Sequence, residues 1–274
     1  MKNLIFLFSF LITLQGYSQD NDWGIPVEIN FSRLGLLSLD NQGFIFISDL
    51  EGNLYQYDKI GTRINNFSPH RQGALTQLEA AWTVNIFTFS ADLQEYRILD
   101  RFINPVAENR IPLQLITLAK VATLGNNNII WVFDEADLSL KQFDYRQGRI
   151  TQNQPLNLVL AQSSLDIVDI REYQNMVFLN IEEEGVYVLD NQGNFLQQLP
   201  INLNQKISFW KDELSYLEGD DLVFLNLKNK NKTAFSIPEN IQAKNVIVDG
   251  NSVILYSQDK IWVFPKNQTP LKDK

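Results

Sequence analysis

Carboxylate side chains recur in the short turns between alternating apolar segments of this 274-residue chain. Carboxylates that share one surface can attract a basic protein surface, bind a calcium ion or act in pairs on a glycosidic bond. No turn has the ligand spacing of an EF-hand, and no carboxylate pair has a diagnostic separation. Calcium is therefore the weaker option, and the set favours protein docking. Its members are Asp49, Glu51, Asp92, Asp134, Glu135, Asp137, Glu182, Glu183, Glu184, Asp220, Asp221 and Asp259.

A basic set follows the acidic set along the chain. If the chain folds in repeats of four antiparallel strands, named a to d, the acidic set lies in the b–c turns and the basic set in the c–d turns. Turns favour Asp, Lys and Gly whatever the function, but that preference does not account for sorting by sign. We therefore expect an acidic rim and a basic rim on opposite faces. The basic set is Arg63, Arg97, Arg101, Arg146, Arg149, Lys228, Lys230 and Lys232.

Composition excludes several classes of chemistry. The chain has no cysteine and a single histidine, His70, so it lacks a Cys–His nucleophile pair and a zinc cluster of the usual kind. His70 lies between Pro69 and Gly73, a pattern typical of an exposed loop. The formal net charge of −9 argues against nucleic-acid binding. The sequence predicts no catalytic residue, no cofactor and a protein that is not an enzyme.

The segment from Gly43 to Gly61 predicts two strands joined by a tight turn. Phe44, Phe46 and Ser48 alternate with isoleucines, the run breaks at residues 49–53, and a second apolar alternation begins at Leu54. Period-two alternation bounded by turn residues is typical of a β-hairpin. This hairpin is the clearest copy of the unit that organises the chain.

The same unit returns five more times. Alignment of the second strand on its last aromatic or apolar residue gives spacings of 39, 47, 46, 36 and 39 residues. A period of about 40 to 50 residues with four strands per repeat is typical of β-propeller blades. The sequence therefore predicts an all-β, six-bladed β-propeller. The aligned residues are Tyr57, Tyr96, Phe143, Leu189, Leu225 and Phe264.

The two ends of the repeat array predict how the ring closes. The last repeat runs into a polar tail at residues 265–274 and has no fourth strand of its own. A spare strand-like segment at residues 25–31 precedes the first repeat. Because an open ring leaves unpaired strand edges, we expect residues 25–31 to supply the outer strand of the last blade.

Two further expectations concern a loop and the tryptophans. The longest irregular connection is predicted at residues 104–118, between the second and third blades. Trp23 could pack beneath the ring or remain exposed. The other tryptophans are expected to pack between blades rather than to stack on sugars: Trp82, Trp131, Trp210 and Trp262.

Residues 1–18 have the pattern of a secretory signal peptide. Lys2 precedes an apolar run from Leu4 to Thr13, and the small residues Gly16 and Ser18 mark a cleavage site. Cleavage after Ser18 leaves residues 19–274 as one domain, with no cysteine for a lipid anchor and no other run long enough to span a bilayer. We expect export to the periplasm of a Gram-negative bacterium, or secretion.

The segment from Leu39 to Gly61 resembles an NHL-type propeller repeat. It contains the acidic-Gly turn, the aromatic-rich strand that ends in Asp49, the turn at Asn53 and the apolar strand that ends in Asp58 and Gly61. Residues 186–196 are similar to the second half of such a repeat. Leu54 replaces the family's usual Arg. The resemblance implies a six-bladed NHL/TolB-like fold, which serves in protein-binding platforms, in sugar-binding domains and in some enzymes.

The function hypothesis combines these observations. We expect a non-enzymatic interaction platform that is a soluble periplasmic subunit of an outer-membrane secretion or assembly complex. Its partner is expected to be a protein, with an outer-membrane protein as one candidate. Two alternatives remain: a carbohydrate-active or Ca²⁺-dependent hydrolase or lyase, and a sugar-binding module, each using the acidic b–c turns.

Overall fold

Short apolar segments that alternate in period two form strands whose two faces pack against neighbouring sheets. The computed structural model describes residues 23–80 and 85–274, which form 24 strands in six antiparallel four-stranded sheets. The sheets are the blades of a six-bladed β-propeller, so the predicted fold is confirmed. In each blade strand a is next to the axis and strand d is on the outside.

The first three blades use consecutive strands. Blade 1 contains β2 (Leu34–Leu39), β3 (Ile45–Asp49), β4 (Leu54–Tyr57) and β5 (Arg63–Phe67). Blade 2 contains β6 (Gln77–Glu79), β7 (Asn85–Ser90), β8 (Glu95–Asp100) and β9 (Pro105–Arg110). Blade 3 contains β10 (Ala119–Leu124), β11 (Ile129–Asp134), β12 (Ser139–Asp144) and β13 (Arg149–Pro155).

The remaining blades follow a short helix, α1 (Leu156–Val159). Blade 4 contains β14 (Ile167–Tyr173), β15 (Met176–Ile181), β16 (Gly185–Asp190) and β17 (Phe195–Leu199). Blade 5 contains β18 (Phe209–Trp210), β19 (Glu213–Glu218), β20 (Asp221–Asn226) and β21 (Lys232–Ser236). Blade 6 contains β22 (Asn245–Val248), β23 (Ser252–Tyr256), β24 (Lys260–Pro265) and, from the other end of the chain, β1 (Val27–Asn30).

The hydrophobic core is divided among the interfaces between blades. Each interface contains a cluster of buried apolar side chains, and each such side chain contributes about 1.5–3 kcal/mol by its burial. One pair of buried residues from each cluster illustrates this packing across neighbouring blades. From the interface of blades 1 and 2 round to that of blades 6 and 1, the pairs are Phe46 with Ile86, Phe87 with Val132, Leu140 with Leu179, Val188 with Leu214, Phe224 with Val253, and Ile261 with Leu37.

Strand β1 closes the ring as predicted. It pairs antiparallel with β24, and Ile29 opposes Ile261. Ile29 is buried in the cluster between blades 6 and 1. Gly61 is needed here because its φ is +81° and a Cβ at this position would lie 2.8 Å from Cγ1 of Val27.

Aspartate-capped turns recur at the strand ends. Oδ1 of Asp58 accepts hydrogen bonds from the backbone N–H groups of Ile60 and Thr62, at 3.0 and 2.8 Å. The third residue after the aspartate has a positive φ, which favours glycine. The first role of these carboxylates is therefore to stabilise the turns. The same five-residue arrangement occurs at Asp40, Asp49, Asp100 and Asp190.

Two predictions about local structure were wrong. The register of β7 with β8 makes Leu99, not Tyr96, the counterpart of Phe143, so the first two repeat spacings become 42 and 44 residues. Residues 105–110 form β9, which shortens the predicted 104–118 connection to residues 111–118. Residues 266–274 add no strand to blade 6, as expected, and Leu271 among them is buried in the cluster between blades 5 and 6.

The described tryptophans lie between blades or at the axis. Trp131 and Trp262 are buried, whereas Trp210 is half-buried. Trp23 packs against the cluster between blades 5 and 6, with its indole N–H donating to the carbonyl of Ser236 at 2.9 Å and its ring 4.8 Å from that of Phe264. Trp82 lies outside the described residues.

Removal of residues 19–31 is expected to lower the melting temperature of the mature chain by more than about 10 °C, because it exposes the edge of β24 and opens the 6–1 cluster. Ile29→Ala should cost about 2–5 kcal/mol through its cavity. Thermal unfolding followed by circular dichroism measures both. A chain that starts at residue 23 is the control, and equal melting of the 19–31 deletion and this control would refute closure by β1.

Candidate functional site

The two faces of the ring carry different connections. The b–c turns and the d–a loops lie on one side, here called the b–c face, and the a–b and c–d turns lie on the other, here called the a–b face. The structure places every member of the acidic set at a b–c strand end. Their surroundings differ, and this difference decides which of them can meet a partner.

Asp134 belongs to the interior rather than to the surface. It is 0% exposed and accepts hydrogen bonds from the N–H groups of Thr117 and Leu118 and from Nζ of Lys141, at 2.8, 2.9 and 2.7 Å. Burial raises the pKa of Asp134, but Lys141 and the backbone donors outweigh it and hold that pKa below its usual range. Its prediction as a binding residue is therefore wrong, because its lone pairs are already used.

Basic neighbours neutralise several other carboxylates of the b–c face. Glu51 pairs with Arg33 at 2.8 Å. Glu135 pairs with Lys120 at 2.8 Å, and Lys120 also contacts Asp166 at 2.6 Å. Three more acidic side chains take part in local contacts: Asp137 with Lys141, Asp221 with Ser236, and Asp259 with Ser257.

Glu184 is a structural residue of blade 4. Its carboxylate accepts hydrogen bonds from the N–H of Ser164 at 2.6 Å and from the hydroxyl of Tyr187 at 2.8 Å. Burial alone would raise its pKa, but the bonds from Ser164, Ser163 and Tyr187 lower the pKa of Glu184 to about 2. The carboxylate thus ties the b–c turn to the preceding d–a loop.

Five acidic residues of the set are exposed and have no cationic partner among the described residues: Asp92, Glu182, Glu183, Asp220 and Asp259. Two of them, Glu182 and Glu183, are adjacent and border a cavity. The acidity that the b–c face can offer to a partner is therefore concentrated at blade 4.

This cavity, here called the acidic groove, has a volume of about 520 Å³ and lies between blades 4 and 5 on the b–c face. Asp169 and Lys206 form an ion pair in it at 2.9 Å, and the other oxygen of Asp169 accepts from the N–H of Ile207 at 2.8 Å. Carboxylates outnumber ammonium groups three to one in the lining. Amide side chains complete its polar wall: Asn180, Asn202, Asn204, Gln205 and Asn245.

The acidic groove can bind a lysine or arginine side chain. Carboxylates and amide oxygens accept hydrogen bonds from ammonium and guanidinium groups, and such charge-assisted bonds are stronger than neutral ones. Sequence reasoning found Glu182 and Glu183 but missed the amide wall. Its residues come from three separate segments, and no local pattern signals that they meet.

The prediction that Arg97, a member of the basic set, lies in a c–d turn of the basic rim was wrong. Arg97 lies within β8, is 2% exposed, and donates to Glu95, to Glu108 at 2.9 Å and to the carbonyl of Arg71 at 3.2 Å. It fixes the interior of blade 2 and contributes nothing to a surface. The other members are exposed, in c–d turns or at the start of strand d: Arg63, Arg101, Arg146, Arg149, Lys228, Lys230 and Lys232.

The described residues contain neither a candidate metal site nor a candidate membrane-spanning helix. No group of three or more His, Cys, Asp or Glu side chains within residues 23–80 and 85–274 has an arrangement that could hold a metal ion. In the same ranges, no helix has both the length and the apolar character needed to cross a bilayer.

Comparison with known proteins identifies the fold and no family. No protein-family model matches the sequence, and no curated protein matches it. The WD40 domain of Neurospora crassa Pan2 is similar in structure, with a TM-score of 0.62 and 11% identity over 89% of this chain and 96% of that one. A catalytically inactive variant of virginiamycin B lyase from Staphylococcus aureus gives 0.57 and 14%, over 85% and 80%.

A third similar structure is PorZ of Porphyromonas gingivalis, described as an essential bacterial surface component of the type-IX secretion system. Its TM-score is 0.53 at 12% identity, and the match covers 81% of this chain but 29% of PorZ. Identities this low show a shared fold alone. The three proteins have different roles, so the shared fold does not indicate the function of this chain.

Glu184→Gln is expected to lower the free energy of unfolding at pH 7 by about 1–2 kcal/mol, because it weakens two charge-assisted hydrogen bonds. The folded-state pKa is about 2, below the ordinary 4.5, so the carboxylate stabilises the fold above pH 4.5. The difference between wild type and variant should therefore shrink as the pH falls from 5 towards 2. Urea unfolding across this range measures it.

Glu183→Gln is the matched control, since this neighbour is exposed and has no described partner. It should unfold like the wild type at every pH. A Glu184→Gln variant that matched the wild type at pH 7 would contradict the structural role of Glu184.

Proposed function

We propose that this chain is a non-enzymatic interaction platform that docks a basic surface of a protein partner in the acidic groove. The observation that carries the proposal is the pair Glu182–Glu183. It borders a cavity of about 520 Å³ and lacks the cationic neighbour that Glu51 and Glu135 have. A basic partner supplies the missing counter-charges, and the groove supplies the shape.

The location of the groove suits a docking role. It lies where the d–a loop 200–208 meets the b–c turn of blade 4, and buried residues on either side hold both in place. Asn180 Nδ2, for example, donates to the carbonyl of Leu203 at 3.0 Å across the groove floor. A site held by a packed ring loses little entropy when a partner binds.

We propose an envelope location for this activity. The signal-peptide pattern at residues 1–18 supports export to the periplasm or beyond, and these residues lie outside those that the structure describes. The likeness to PorZ, a surface component of a secretion system, fits a subunit of an outer-membrane secretion or assembly complex.

Lyase activity is the alternative function that the similar structures raise. The similar virginiamycin B lyase is catalytically inactive when one of its histidines is replaced by alanine. The single histidine here, His70, is exposed in the d–a loop 68–76, and no hydrogen bond joins its ring to a described carboxylate. No observation therefore favours a lyase over a platform.

Purification of the tagged full chain from its native envelope tests the proposal directly. Mass spectrometry of the eluate is expected to identify a protein that co-purifies in fixed stoichiometry. Recovery of a lone monomer that cleaves or binds polysaccharide would overturn the platform and support the carbohydrate alternative.

The double variant Glu182→Lys/Glu183→Lys is expected to weaken partner binding at least about tenfold, mainly through slower association, because both charges steer the basic surface. The affinity of the wild type should fall with added salt, and that of the variant should fall less. Surface plasmon resonance at two salt concentrations measures both effects.

Asp92→Lys/Glu239→Lys is the control with the same change in net charge. Both residues are exposed on the b–c face, have no described cationic partner and lie outside the acidic groove. Equal loss of binding in the two double variants would indicate a general charge effect, and undiminished binding of the Glu182/Glu183 variant would place the interface elsewhere.

A further inference from the structure

A mostly polar layer of side chains surrounds the ring axis. Strand register places six residues of the innermost strands at one level: Ser38, Glu79, Thr123, Arg171, Ser208 and Ile247. Glu79 accepts a hydrogen bond from the hydroxyl of Thr123 at 2.7 Å, and Arg171 lies 3.4 Å from the same carboxylate. Blades 2, 3 and 4 are therefore tied together at the axis.

On the opposite side the axis is open. A cavity of about 260 Å³, here called the axial cavity, lies against the inner strands of blades 1, 5 and 6. Its lining includes the exposed turn residues Asn41, Gly250 and Asn251, so the cavity opens on the a–b face. It is separate from the acidic groove, although Lys206 contributes to both linings.

Arg171 has unused hydrogen-bonding capacity in this cavity. Its side chain is 12% exposed, and its only ion-pair contact within the described residues is the 3.4 Å approach to Glu79. None of its five N–H groups donates a hydrogen bond to another described side chain or carbonyl. Its N–H groups are therefore available to a ligand in the cavity, and a carboxylate is the group that matches the geometry of a guanidinium best.

The walls of the axial cavity are apolar. Leu36, Ile247 and Trp210 are half-buried and line it, whereas the apolar residues beside them in the strands are buried between blades. The indole N–H of Trp210 is buried and has no hydrogen-bond partner. The cavity therefore presents apolar surface beside the Arg171 guanidinium.

Two carboxylates lie at the mouth, across the ring from Arg171. Asp40 belongs to blade 1 and Asp249 to blade 6, and each uses Oδ1 to cap its own turn. Burial raises the pKa of Asp249 and Asp40 adds to this effect, although backbone hydrogen bonds and Lys266 act in the opposite direction. A cationic group placed at the mouth would relieve this repulsion, and a second anionic group would be repelled.

We propose that the axial cavity binds a short dipolar molecule with an apolar body, of the chemical class of a free dipeptide with apolar side chains. Its carboxylate pairs with Arg171, its body packs on Leu36, Ile247 and Trp210, and its ammonium faces Asp40 and Asp249. Protein docking and ligand binding then use opposite faces of one ring.

Titration calorimetry on the purified chain, with no partner present, tests the site with three probes. The probes are leucyl-leucine, its C-terminal amide and its N-acetyl derivative. The free dipeptide is expected to bind, and the amide should bind at least about tenfold more weakly because it lacks the carboxylate. The acetyl derivative should also bind more weakly, because it lacks the ammonium.

Two variants locate the site. Arg171→Gln removes the anion partner, and Ile247→Phe fills the cavity without a change in charge; each is expected to abolish the binding of leucyl-leucine. A melting temperature for each variant shows that it is folded. No binding by wild-type protein, equal binding of dipeptide and amide, or retained binding in folded Ile247→Phe would each overturn the proposal. Because no partner is needed, these results stand apart from the outcome for the acidic groove.

Discussion

Apolar packing between neighbouring blades is the interaction on which this structure depends. Six clusters of buried side chains lie at six interfaces, and the last of them requires Ile29 from the start of the chain. A sheet buries both of its faces only if another blade packs on each side. If blade 6 lacked its outer strand, the edge of β24 and part of the apolar cluster between blades 6 and 1 would be exposed to water. Closure by β1 completes the sixth blade, and the ring then holds every turn and loop in place.

The fold itself uses many of the acidic residues, so the b–c face has more carboxylates than a partner can contact. Aspartates cap the strand-end turns, as at Asp58 and Asp190, and Asp134 and Glu184 join loops to blades. A count of charges on the b–c face therefore overstates what a partner can meet. After internal bonds and local ion pairs are removed, blade 4 retains two adjacent carboxylates that have no described cationic partner and lie beside a cavity.

Period-two alternation and the repeat spacing were sufficient to predict the blades and their closure, since both reflect burial on two faces. The outer strand β9 was missed because an exposed edge strand needs no apolar alternation, and its sequence, PVAENR, has little. The error at Tyr96 also explains the error at Arg97. Because the end of β8 was placed three residues too early, Arg97, which is buried within the strand, was assigned to a surface turn.

The acidic groove and the axial cavity were beyond sequence reasoning for a different reason. Their walls are assembled from segments far apart in the chain, and Arg171 acquires its role only because blades 2 and 4 approach each other at the axis. Turn composition could suggest Glu182 and Glu183, but only the packed ring shows which charges remain unpaired.

The proposed function requires that the partner docks on the b–c face. Photo-crosslinking in the native envelope tests it most directly, with a photoreactive benzoylphenylalanine in place of Glu183 on the b–c face or of Asn41 on the a–b face. A crosslinked species is expected from position 183 and none from position 41. Crosslinking from position 41 alone would contradict it.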